Sequence, residues 1–439
     1  MIASQIGLNF LIEYNKIHGT EYTAQSFFKE IFAPLFFDHE KYMRTGGNAP
    51  LDNPKIKKGT YPNTQERAER ISKTIDLIEA DPLGSSGIGY PSKDILATTS
   101  GMVTNLNLQV TSERIYAAWI GSGLSIGVDS SYSIFIDNPK IFMILYEGWT
   151  YYRHNYLNNK AYKNLKGNQI DKWNAQWLTH RLNPDFMKEH PFLDFDPFPK
   201  EKGNVLMLDE VRWLKVFFSL SQLFPNSTIT GYVYKLDKSN KTVGFIPFIL
   251  PQINKPIHLY KKLFGENEYL KNSKQIESIY GSELSFIKCC EMGSIGIKAL
   301  EPQGLKNYIF PTKDGDVKYP NYKKIDDNQK ISFNTYITWI LAMINNESLL
   351  EKADAYAQAF IDYEGGAQRA KVDRANDVKK ALTASKREFF IENLIPIVEK
   401  SDKKPEALNE LVVEINKIPV DNFSYFLTLI RFRYAYLKK

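Results

Sequence analysis

Apolar positions open the chain with a helical spacing, through Ile6, Phe10 and Leu11. A second helix is predicted from Thr23 through Phe27, Phe28, Ile31 and Phe32 up to Pro34, where the missing N–H should stop it. Residues 45–61 are rich in Gly, Pro, Asn and Lys, the composition of an exposed loop, and carry Lys55, Lys57 and Lys58. Between Ile95 and Pro139 the period shortens. Met102–Val110 alternates apolar and polar residues as a half-buried strand does, and Gly121, Gly123 and Gly127 punctuate a strand-rich stretch ending at Ser133–Asp137. Helical spacing returns at Pro139–Tyr156 and Asp209–Leu223. Gly231–Tyr234 and Thr242–Ile246 then read as a hairpin with its turn at Asp237–Asn240.

Beyond Ser332 the pattern is almost purely helical. Phe333, Tyr336, Ile337, Ile340, Leu341 and Ile344 share one face, and further amphipathic segments centre on Phe389–Ile395, Leu408–Ile415 and Phe423–Ile430. Pro405 and Pro419 mark joints between them. The expected fold class is α+β. A mixed α/β body over residues 1–330, divisible near 200 into two subdomains, precedes a basic bundle of four or five helices over 331–439.

Composition changes this picture little. A chain of 439 residues with 43% hydrophobic and 24% charged residues is long enough for two or three ordinary globular cores. Cys289 and Cys290 are adjacent, too few for a structural zinc site and badly placed for an unstrained disulfide, so they are expected as buried thiols in a reducing compartment. No basic segment leads into an apolar run at Met1–Gly7, and the longest apolar stretches are broken by polar residues. The expectation is a cytoplasmic protein without a membrane partner.

Charge changes the picture more. The formal net charge is +6, and most of it lies between Gln368 and Arg387, where Arg369, Lys371, Arg374, Lys379, Lys380, Lys386 and Arg387 face only Asp373 and Asp377. Concentrated positive charge displaces counterions from a phosphate backbone, which makes DNA or RNA the expected partner of this segment. On a helix starting at Ala367, Lys371 and Arg374 flank a thin apolar stripe of Ala367, Ala370, Val378 and Ala381. The competing reading is a solvated helix between better-buried ones. The tail Arg431–Lys439 interleaves aromatic and basic residues, suited either to stacking with phosphate contact or to a terminal amphipathic helix.

Candidate chemistry is sparse. In Lys166–Trp177 the amides of Asn168 and Gln169 can read base edges and Gly167 permits close approach to a phosphate, so these three join the expected nucleic-acid contacts. Trp173 and Trp177, four apart, are expected in the core. The Gly121–Gly127 run lacks the spacing and following helix of a dinucleotide fingerprint, and no P-loop is present. His18, His39, His154, His180, His190 and His258 form no zinc-hydrolase motif, and no nucleophile elbow occurs. No catalytic residue, metal ligand or cofactor is therefore assigned. The enzymatic alternative is a metal-dependent, restriction-type nuclease drawing on Asp129, Asp137, Asp314 and Asp316. The blandest alternative is a scaffold that binds protein alone.

The layout of the chain, with Asn334–Ile340 and Phe426–Tyr434 in the terminal bundle, resembles the large subunits of type I CRISPR surveillance complexes. That resemblance implies a non-enzymatic subunit of a prokaryotic antiviral defence complex, with DNA, guide RNA and other protein subunits as partners. It further implies that the body looks for a short flanking motif on duplex DNA while the bundle guides a displaced single strand. At 439 residues the chain is small for such a subunit.

Overall fold

The computed structural model describes residues 1–45, 50–52, 61–92, 103–106, 108–129, 131–198, 205–235, 241–281, 283–310, 312, 316–366, 371–402 and 405–438, with Lys371 described by its backbone. The chain divides into two compact units, Met1–Leu250 with Cys290–Ser294, and Pro251–Cys289 with Ile295–Lys439. The class is α+β: helices dominate and the named strands form one small antiparallel sheet.

In the first unit the helix Ile2–His18 lies against the helix Ser112–Ser122. The approach is close because both helices present small residues. A Cβ on Gly7 would stand 1.9 Å from the Ala117 carbonyl oxygen, and one on Gly121 would stand 1.9 Å from that of Ala3. Ser112–Ser122 corrects the expectation of a strand-rich stretch. Thr111 caps it, accepting the Arg114 amide, and every residue from Ile115 to Ser122 is buried. A helix buried all round shows no stripe, so its sequence resembles a buried strand. Nor do the described residues of Met102–Val110 form a strand; Val103 makes a single bridge to Ser92.

Helix also runs past Pro34. Thr23 caps a segment that begins at Ala24, but residues Phe28–Phe32 widen into a π-turn and Ala33–Phe37 continues as α-helix with Pro34 in its first turn. The π-turn resets the ladder, so the missing proline N–H falls where no intrahelical donor is required. Phe32, Phe36 and Trp149 meet there, with the Phe32 and Phe36 rings 4.0 Å apart.

The sheet has the order β1 (Ile126–Val128), β2 (Tyr132–Ile136), β3 (Thr228–Lys235), β4 (Lys241–Ile249), antiparallel throughout. The predicted hairpin is β3–β4; its turn lies outside the described residues. Alternation assigns two faces. Ile126, Ile134, Val233, Ile246 and Phe248 are buried on one, where the helix Trp213–Leu223 brings Phe217 within 4.3 Å of Phe248. The other carries Gly127, Ser133, Phe135, Tyr232, Tyr234, Thr242 and Phe245. A bulge between Val233 and Tyr234 keeps Thr242 and Phe245 together on it.

All named elements of the second unit are helical. The helix Phe423–Leu437 packs against Asp327–Ile344 and Leu349–Gly365, and buries Phe426, Leu427, Leu429, Ile430 and Phe432. Helices preceding residue 330 join the same unit, since Glu266–Ile279 packs on Asp327–Ile344. Cys289 and Cys290 are buried and form no disulfide. No helix among the described residues is long and apolar enough to cross a membrane.

Candidate functional site

Two regions were singled out by the sequence, and the structure treats them differently. In the first unit the helix Ile170–Arg181 runs alongside β1, and the approach is close because Gly127 has no side chain: a Cβ there would stand 3.0 Å from Asp171. This helix and the aromatic sheet face wall a cavity of about 690 Å³, within the range of small-ligand sites. Its floor is polar. Arg44 donates to the Asp171 carboxylate at 2.7 Å and Ser125 donates to the same oxygen, while Ser133 reaches the other oxygen at 3.5 Å. Burial alone would lower the Arg44 pKa, but Asp171 and Tyr234 outweigh it and raise it. A second pair, Lys172 with Glu210 at 3.0 Å, stands on the wall, and Lys241 is exposed at the rim.

The segment Gly167-Asn168-Gln169 enters the Ile170–Arg181 helix beside this cavity. Gln169 is buried and its amide is committed, donating to the Lys166 carbonyl at 2.7 Å and accepting the Leu208 amide at 3.0 Å. It holds the chain rather than offering a contact. Asn168 is exposed on the cavity wall with φ +55°, a left-handed conformation that asparagine tolerates better than most residues. Gly167 is half-buried and does not line the cavity. Trp173 and Trp177 are fully buried, stacked with ring centroids 6.1 Å apart, and donate to the carbonyls of Gly148 and Ile144.

In the second unit the basic segment separates into internal and external cations. Arg374 is buried with Val378, Ala381 and Leu382 on the inner face of the helix Lys371–Leu382. It donates to the carbonyls of Tyr363 and Lys400 and pairs with Asp402 at 3.1 Å. Arg387 is half-buried and donates to the Ile418 carbonyl at 3.1 Å. Lys379, Lys380 and Lys386 are exposed, Lys379 pairing with Asp316 at 2.8 Å. Asp377 is drawn inward by Lys400 and the Tyr363 hydroxyl. Arg369 lies outside the described residues, as do Lys55, Lys57, Lys58 and Asp314, and so does the side chain of Lys371. The tail is a helix whose Arg431 is buried, donating to the Leu382, Tyr308 and Ile309 carbonyls. Arg433 is engaged by Asp354, and Lys438 by Glu364.

Of the acids named for the nuclease alternative, Asp129, Asp137 and Asp316 lie among the described residues, Asp316 in the pair with Lys379. Asp129 accepts the Trp213 amide at 3.1 Å, with burial raising its pKa; Asp137 accepts from Asn9 at 2.7 Å. Among the described residues no group of three His, Cys, Asp or Glu side chains is placed to hold a metal ion.

Sequence reasoning missed Arg44, Asp171 and the aromatic sheet face. Tyr232 and Tyr234 at alternate positions are a legible signal of a shared face. The Arg44–Asp171 pair spans 127 positions of chain and leaves no local mark. Comparison with protein-family models, curated proteins and solved structures returns no match for this chain.

Proposed function

We propose that this chain is a non-enzymatic nucleic-acid-binding subunit of a prokaryotic antiviral defence complex, of the kind the large subunits of type I CRISPR surveillance complexes exemplify, and that it grips phosphate backbone through its basic helical segment. The observation that carries the reading is the exposure of Lys379, Lys380 and Lys386 in one short stretch. Its internal arginines do different work. Arg374 and Arg387 hold the helix to its neighbours, so they present the lysines rather than touch phosphate.

The test is binding of labelled single- and double-stranded DNA and RNA across a salt series, with and without magnesium. Wild type should bind without cleaving, with affinity falling steeply as salt rises. The triple variant Lys379→Gln/Lys380→Gln/Lys386→Gln should lose about two to three of the slope of log affinity against log salt, roughly 0.7–0.9 per phosphate contact removed. An unchanged slope contradicts the assignment. Magnesium-dependent cleavage by wild type would move the reading to a nuclease, and absence of binding on every probe would move it to a protein scaffold.

A further inference from the structure

The outer face of the sheet in the first unit is built unlike an ordinary solvated face. Four rings cross β2, β3 and β4 in a continuous series: Phe135 to Tyr234 at 5.2 Å, Tyr234 to Tyr232 at 6.1 Å, and Tyr232 to Phe245 at 5.2 Å. Cross-strand aromatic pairs stabilise sheets by themselves. Here the series also grades from a buried end to an open one, because Phe135 is 6% exposed and Phe245 is 62% exposed. The Tyr232 hydroxyl is 3.2 Å from the Thr242 hydroxyl, at the edge of the ring and off its face. Tyr232 and Tyr234 line the cavity, and the exposed Phe245 continues their surface outside its lining, which leaves the stack unfinished.

The surroundings state what would finish it. Lys241 is exposed at the rim, and Lys235 holds its ammonium 5.5 Å above the Tyr132 ring. The two acids of the cavity, Asp171 and Glu210, are each matched by a cation. Aromatic faces beside cations, with the exposed Asn168 also lining the cavity, suit a planar base attached to a phosphate. A base offers its face only when unpaired, and a cavity of about 690 Å³ admits a nucleotide and not a duplex. We infer that Tyr232, Tyr234 and Phe245 form a stacking platform for an unpaired nucleotide of a single-stranded nucleic acid, with Lys241 at its phosphate. The inference rests on reading the chain as a nucleic-acid binder, but not on the lysines of the second unit.

The experiment uses the full chain and fluorescein-labelled oligothymidylate, oligouridylate and a duplex, read by anisotropy. Tyr232→Ala and Phe245→Ala should each weaken single-strand binding roughly fivefold to a hundredfold, the loss of one base stack. Tyr232→Phe, which keeps the ring, should stay within about twofold of wild type, since stacking needs the ring face and not the hydroxyl. Oligonucleotides carrying 5-iodouracil should crosslink to a peptide containing Tyr232, Tyr234 or Phe245. Folding is checked by circular dichroism; Phe245, being exposed, provides a variant that leaves the core intact. Wild-type affinity in both alanine variants, with no crosslink to that peptide, overturns the platform. If the triple lysine variant then still weakens binding, the proposed function stands without it. If wild type binds no strand at all, both fall.

Discussion

His39 shows how a single side chain records its surroundings. It lies two residues past the helix that ends at Phe37, and its Nδ1 accepts the Lys41 amide at 2.9 Å. Burial, and after it the nearby Arg153 guanidinium, pushes its pKa down to about 4. In the unfolded chain the imidazole takes a proton below about pH 6.5. Between those two values the unfolded state holds more protons than the folded one. The contribution of neutral His39 is therefore complete above about pH 6.5 and is lost as pH falls through about 4. Urea unfolding midpoints should drop between about pH 7 and about pH 5 in wild type, and drop less in His39→Gln, whose amide keeps an acceptor without titrating. An identical drop in the variant would assign the acid sensitivity to other groups.

Between elements, the crossing of Ile2–His18 with Ser112–Ser122 is the most demanding contact. Ala in place of Gly121 puts a methyl group into the Ala3 carbonyl, and neither backbone can retreat without unpacking its helix. Gly121→Ala should cost about 3 kcal/mol, at the upper end for overpacking a core. Gly19 is the control. It ends the first helix at φ +64°, and a Cβ added there would meet nothing within 4 Å. Gly19→Ala should therefore cost only about 1 kcal/mol, the strain of the left-handed conformation. Chemical denaturation separates the two, and equal costs would mean that the helices are not held at this distance. The basic helix supplies a second contrast at this scale. Arg374→Ala removes the donor shared by the Tyr363 and Lys400 carbonyls and the Asp402 carboxylate and should lower the denaturation midpoint. Lys380→Ala should stay within about 0.5 kcal/mol of wild type.

For the whole molecule, the division into two compact units has a thermodynamic consequence. Each has its own core, the first around Phe32, Phe36 and Trp149, the second around Phe426, Ile430 and Phe432. Calorimetry should resolve two unfolding transitions. Gly121→Ala should lower the first unit's transition. Arg431→Met, which deprives the Leu382, Tyr308 and Ile309 carbonyls of their donor, should lower the second unit's. A single transition lowered equally by both variants would mean that the units unfold as one.

What the amino-acid order determines unaided is whatever depends on neighbours along the chain. Helical spacing in Phe333–Ile344 and Phe423–Ile430, the Thr23 cap and the alternation of Gly231–Tyr234 are local, and each corresponds to an element of its type. The four-apart spacing that put Trp173 and Trp177 in the core is local too. Periodicity fails where burial is complete. Ser112–Ser122 is buried on every side from Ile115 onward, so nothing in its pattern distinguishes helix from strand. Counting charges likewise located the basic segment without dividing it. Arg374 and Lys380 are equally basic in sequence, and only the carbonyls and carboxylate brought to Arg374 by distant turns make one internal and leave the other outside. The Arg44–Asp171 pair and the four-ring face are of the same kind: strand register and helix packing assemble them from remote positions, because side-chain chemistry is set by what surrounds a group in space.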